Sequence, residues 1–63
     1  MIAEANQDLI LKSMTKEYMA TAWIAHVTKL NFYVVKDILF ALLEEGKVEK
    51  LQSGSRNIKW RKV

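Results

Sequence analysis

Between Thr21 and Val48 the chain repeats a helical apolar rhythm twice, and only Lys29-Leu30-Asn31 separates the two runs. So short a connection makes consecutive helices meet at a tight corner. The first run predicts a helix from Ala22 to about Lys29, with Thr21 as N-cap, its hydroxyl accepting an orphan backbone N–H. Ile24, Ala25 and Val27 are its expected buried positions. Ala25 is small where the next helix must approach. Asn31 is the expected N-cap of a longer helix over residues 32–45. At 100° per residue, Phe32, Val35, Ile38, Leu39, Leu42 and Leu43 gather opposite Tyr33. Tyr33, Lys36, Asp37, Phe40 and Glu44 share the outward side. Gly46 follows, able to take the left-handed conformation that ends helices.

The flanks complete the plan. A first helix is expected from Ile2 or Glu4 to Met14, with Ile2, Asn6, Leu9, Ile10 and Ser13 on one side. Leu11 points away from that side, as an exposed leucine or a dimer contact. In the connector Thr15–Ala20, Tyr18 and Met19 have room for a very short strand. Lys47–Leu51 and Asn57–Arg61 alternate as strands do, and Gln52–Arg56 joins them, with Gly54 suited to positive φ. Val48, Ile58 and Trp60 should face the core, with Lys59 and Arg61 turned away. The expectation is one α+β domain over residues 1–63. It is a three-helix bundle with a C-terminal β-hairpin and room for one short strand before the second helix.

Sixty-three residues bury only about 60% of their unfolded surface, so stability should be modest. The sequence has no cysteine, so neither a disulfide nor a thiolate metal site can staple it. At 51% hydrophobic residues, composition suits a packed core. Acidic residues stand near the N-terminus where a secretion signal would be basic. No apolar run approaches the roughly 20 residues that span a bilayer. The expected compartment is the cytoplasm.

Catalysis finds little support. His26 stands alone on the second helix and reads as a partly exposed polar residue. The only glycines are Gly46 and Gly54, too few for a phosphate-cradling loop. Glu44 and Glu45 are adjacent on a helix and diverge by about 100°, a poor acid–base pair. No cofactor, metal or small-molecule substrate is expected.

Charge is distributed unevenly. Residues 1–46 hold four lysines against six acids, a balance of −2; residues 47–63 hold six lysines and arginines against one acid, a balance of +5. A basic hairpin on a slightly acidic body suits a local anionic partner, or is a solvated tail. A helix-corner-helix unit can present its second helix to a DNA groove. The N–H groups following Thr21 and Asn31, together with Lys29, could take phosphate oxygens. Tyr33, Lys36, Asp37 and Phe40 would face a major groove, Lys36 donating to guanine or phosphate. Asp37 could accept from a cytosine amino group, lower non-specific binding, or be a plain solvated charge. The hairpin offers Lys50, Arg56, Lys59 and Arg61, with Ser53, Ser55 and Asn57 as uncharged donors. Arg56, near the tip, suits a minor groove. Phe40, Trp23 and Leu11 are the residues an alternative, protein-contacting role would use.

From Thr21 onward, about two-thirds of the chain resembles the winged helix-turn-helix family. It is most similar to the small winged-helix regulators of fimbrial operons in enteric bacteria. Those carry Thr-Ala-x-Ile-Ala, an early Tyr in the third helix, Leu-x-x-Leu and a terminal Gly-x-Val. Here these are Thr21, Ala22, Ile24, Ala25, Tyr33, Leu39, Leu42, Gly46 and Val48, with a wing glycine at Gly54 and a late tryptophan at Trp60. Lys36 stands where that family tends to have arginine, and Leu51-Gln52-Ser53 replaces its Ser-Pro and paired arginines. The resemblance implies a transcription regulator, one that acts beside a larger DNA-binding protein. For sequence-specific binding to double-stranded DNA, the small footprint of a 63-residue module calls for a homodimer or such a partner.

Overall fold

The computed structural model describes residues 4–53 and 57–63. In chain order the elements are α1 (Glu4–Ser13), β1 (Met19–Ala20), α2 (Thr21–Thr28), α3 (Phe32–Glu44), β2 (Val48–Ser53) and β3 (Asn57–Lys62). The strands form one antiparallel sheet in the order β1-β3-β2. The described chain is therefore α+β, with three helices and a three-stranded sheet. The short strand expected before α2 forms at Met19–Ala20, pairing Met19 with Trp60 and Ala20 with Lys59. Ile2 and Gly54 lie outside the described residues.

Each helix end has a local cause. Asn31 Oδ1 accepts from the Tyr33 N–H at 2.8 Å, the expected cap of α3. At the other end the Lys47 N–H donates to the Leu42 carbonyl and the Gly46 N–H to the Leu43 carbonyl, with Gly46 at φ 76°. That 6→1 and 5→2 pair satisfies two otherwise orphaned carbonyls. The same pair ends α2: Leu30 N–H to Ala25 and Lys29 N–H to His26. Here Lys29, not glycine, holds the left-handed position, at φ 60°. An L-residue there costs roughly 1 kcal/mol. Lys29→Gly should therefore raise stability by about 0.5–1 kcal/mol, or roughly 4 °C in Tm, by thermal melting. An unchanged or lowered Tm would mean that the lysine side chain compensates locally.

The core draws on every helix and on β2 and β3: Ile10 and Met14; Ile24 and Ala25; Val35, Ile38, Leu39 and Leu42; Val48; and Trp60. Burying each of the larger of these side chains contributes roughly 1.5–3 kcal/mol before conformational entropy is subtracted, and Ala25 less.

Several sequence expectations shift. α1 is rotated so that Leu9 is exposed, Met14 completes the buried stripe one turn after Ile10, and Leu11 packs half-buried against the core. On α2, Val27 is exposed and Thr28 is buried instead. Thr28 tolerates this because its hydroxyl donates to the Ile24 carbonyl at 2.7 Å. Phe32 is exposed in the first turn of α3, and Leu43 is only half-buried. Thr21 does not cap α2. Ala20 holds the cap position, with no side-chain hydrogen bond, and Thr21 sits inside the helix, buried.

Thr21 has another task. Its hydroxyl oxygen accepts from the Trp60 indole N–H at 2.7 Å, in the interior, and donates to the Ile58 carbonyl at 3.4 Å. The Ile58 carbonyl points to the β1 side of β3, just past the end of that two-residue strand. The Thr21 hydroxyl thus links the start of α2 to the sheet and supplies the acceptor a buried indole needs.

Candidate nucleic-acid interface

The register of the hairpin decides which cations share a surface. β2 and β3 pair Val48 with Lys62, Lys50 with Trp60 and Gln52 with Ile58 on one side of the sheet. Glu49 with Arg61 and Leu51 with Lys59 pair on the other. Trp60 is fully buried, so the first set is on the helix side and the second faces outward. Among the described residues, the hairpin cations grouped by sequence therefore separate. Lys50 lies with α3, whereas Lys59 and Arg61 lie on the opposite face.

On the helix side, the Phe40 ring meets Trp60 edge-on, with centroids 5.1 Å apart. Lys50 Nζ sits 5.4 Å from the centre of the same Phe40 ring. Phe40 is thus half-buried rather than outward: it shields Trp60 and seats a lysine, a contact worth about 0.5–1 kcal/mol at an exposed site. Lys36, one turn earlier on α3, is also half-buried. Tyr33 is the most open of the exposed large apolar side chains of the helix at 71% exposure, and Asp37 and Glu44 are exposed with it. The outer ridge of α3 is therefore a phenol flanked by carboxylates. The one cation of α3, Lys36, stands one turn before the Phe40 that Lys50 of β2 contacts. Asn31 and Lys29 stand exposed at the corner where α3 begins, and a helix start leaves backbone N–H groups for an anion. Thr21 does not share this edge, since its hydroxyl is engaged inside.

On the outward face, Arg61 Nη2 donates to both Glu49 carboxylate oxygens, at 3.1 and 3.2 Å, and its guanidinium lies 4.9 Å from the Tyr18 ring centre. The hydrogen bond and charge of Glu49, followed by Tyr18, hold this guanidinium still more firmly protonated than usual. Arg61 is thus committed within the sheet, fastening β3 to β2 and to the residue before β1. Tyr18's part was not legible from spacing. The Glu49–Arg61 pair follows once the register of β2 against β3 is set. Ser55 and Arg56, and the side chains of Ser53 and Asn57, lie outside the described residues.

Trp23, on α2, is 54% exposed, with Val27 exposed one turn later. His26 lies beside it at 5.8 Å between ring centres. Among the described residues, no group of three or more His, Cys, Asp or Glu side chains could hold a metal ion, and no helix is long and apolar enough to cross a membrane. In comparisons with known proteins, no family model and no curated protein matches this chain.

Proposed function

We propose that the protein is a winged helix-turn-helix regulator that binds double-stranded DNA, with α3 in the major groove and the hairpin along the neighbouring backbone or minor groove. The supporting observation is the seat of Lys50 over Phe40, which sets a hairpin cation against the α3 residue one turn after Lys36. Lys29, Lys36 and Lys50 would hold phosphates. Tyr33 and Asp37 would meet base edges, Asp37 accepting from cytosine and repelling mismatched acceptors. The carboxylates on the outer ridge lower non-specific attraction, so the fit depends on register within the groove. A module of this size covers a short site, so useful specificity calls for a second copy or a larger partner.

Trp23 and Val27 favour a second reading, a winged helix used for protein contact. Exposed aromatic and aliphatic side chains one turn apart on a helix are what a partner's groove engages. A chemical-shift titration with pooled duplexes separates the two. Binding to DNA should move amide signals of residues 29–37 and 48–52 at low salt and fade at moderate salt. Shifts confined to α2, or none at either salt, would rule against the duplex reading.

A further inference from the structure

We propose that β2 pairs edge to edge with β2 of a second copy, antiparallel, with Leu51 on the two-fold axis. β3 is central, so β2 forms one rim of the sheet. It is six residues long, Val-Glu-Lys-Leu-Gln-Ser, with neither proline nor glycine to blunt it. The phase of its hydrogen bonds is fixed by the Val63 N–H, which donates to the Lys47 carbonyl at 3.2 Å. Residues 47, 49, 51 and 53 therefore bond toward β3. Val48, Lys50 and Gln52 turn their N–H and C=O groups to the rim. These groups form a ready template for another strand.

The side chains select both the occupant and the register. Two identical rims pair with their outward groups matched only when the axis falls on a residue from 48 to 52. An axis at Val48 would press the two helical bodies together, because Val48 is buried against them. At Glu49 it would oppose two carboxylates, and at Lys50 two ammonium groups, both unfavourable. At Gln52 it would bring Lys50 against residue 54, past the end of β2, and lose pairs. At Leu51 the central matches are acceptable: leucine meets leucine, and Lys50 meets Gln52 on both sides of the axis. Leu51 is an aliphatic side chain 44% exposed on the outward face, and this pairing would cover it. The axis also lies three residues beyond Val48, roughly 10 Å along the strand, which keeps the bodies apart. The product is a continuous six-stranded sheet. Like charges at the neighbouring positions exclude slipped registers, so the strand is self-complementary in one alignment. This inference rests on no part of the duplex reading, and its test uses no nucleic acid.

Because the sequence lacks cysteine, single thiols can report the register. Opposed residue-51 backbones, as a non-hydrogen-bonded pair, stand about 4.5 Å apart at Cα, within disulfide range. The two residue-52 positions lie beyond the roughly 7 Å limit. Mild oxidation should convert Leu51→Cys mostly to a covalent dimer and leave Gln52→Cys mostly monomeric. In sedimentation, the unmodified protein should gain mass with concentration, and Leu51→Lys should weaken that association at least 10-fold. Equal crosslinking of the two thiols, a wild-type chain that stays monomeric at about 1 mM, or Leu51→Lys associating like wild type would each overturn the proposal.

Discussion

Trp60→Ala is expected to remove a third or more of the protein's folding stability at 25 °C. Removing a large buried aromatic side chain typically costs about 3–5 kcal/mol. At roughly 0.05–0.15 kcal/mol per residue, a chain this short has about 3–9 kcal/mol in total. Trp60 is fully buried and joins otherwise separate parts: its ring meets Phe40 of α3, its backbone pairs with both β1 and β2, and its indole N–H donates to Thr21 of α2. The urea midpoint of the alanine variant, followed by helical circular dichroism, should fall by a third or more of its wild-type value. The hydrogen bond can be isolated from the packing. Thr21→Val preserves shape but leaves a buried N–H without an acceptor, which should cost about 1–3 kcal/mol. Trp60→Phe removes the donor, so in the double variant Thr21→Val should cost distinctly less than in wild type, a coupling of about 1 kcal/mol. A Thr21→Val cost under about 0.5 kcal/mol would mean that the indole finds another acceptor in solution.

The part that Thr21 plays marks where sequence reasoning stopped. Threonine immediately before an apolar helical run reads as an N-cap because local rules see only its neighbours. The hydroxyl is instead used by a residue 39 positions away, and no local pattern carries that distance. Val27 and Thr28 fail for a related reason. A hydrophobicity wheel ranks valine above threonine, yet threonine can be buried when its hydroxyl bonds back to the preceding turn. Features with strictly local causes were legible: the Asn31 cap, the Gly46 stop, the corner at Leu30 and the alternation of β3. So was the short strand ahead of α2, to within a residue. The candidate surface was legible only in part. Periodicity assigned Tyr33, Asp37 and Glu44 to the open side of α3. It could not tell that Phe40 would lean onto Trp60, or that the pairing of Lys50 with Trp60 would separate Lys50 from Lys59 and Arg61. That division follows from hairpin register, which depends on where the turn is centred.

This division supports a sharp test of the duplex reading. Lys36→Ala with Lys50→Ala removes two cations from the α3 side, and Lys59→Ala removes one from the opposite face. Each phosphate contact contributes about 0.9 to the slope of log K against log salt. The double variant should therefore lose about 1.8 from that slope and, near 0.1 M salt, bind roughly 60-fold more weakly. Lys59→Ala should change the slope by much less than one unit, although by formal charge each lysine counts the same. Lys50→Ala also removes a cation from the Phe40 ring, so its folded fraction has to be matched to wild type by circular dichroism before affinities are compared. The discriminating quantity is the difference between the two faces. Overall net charge would produce losses in proportion to the number of lysines removed, from either face. A surface built by the Lys50–Trp60 register loses affinity only when α3-side lysines are removed. An equal per-lysine loss from Lys59→Ala would move the contact off α3, and an unchanged slope in the double variant would leave α3 with no part in binding a duplex.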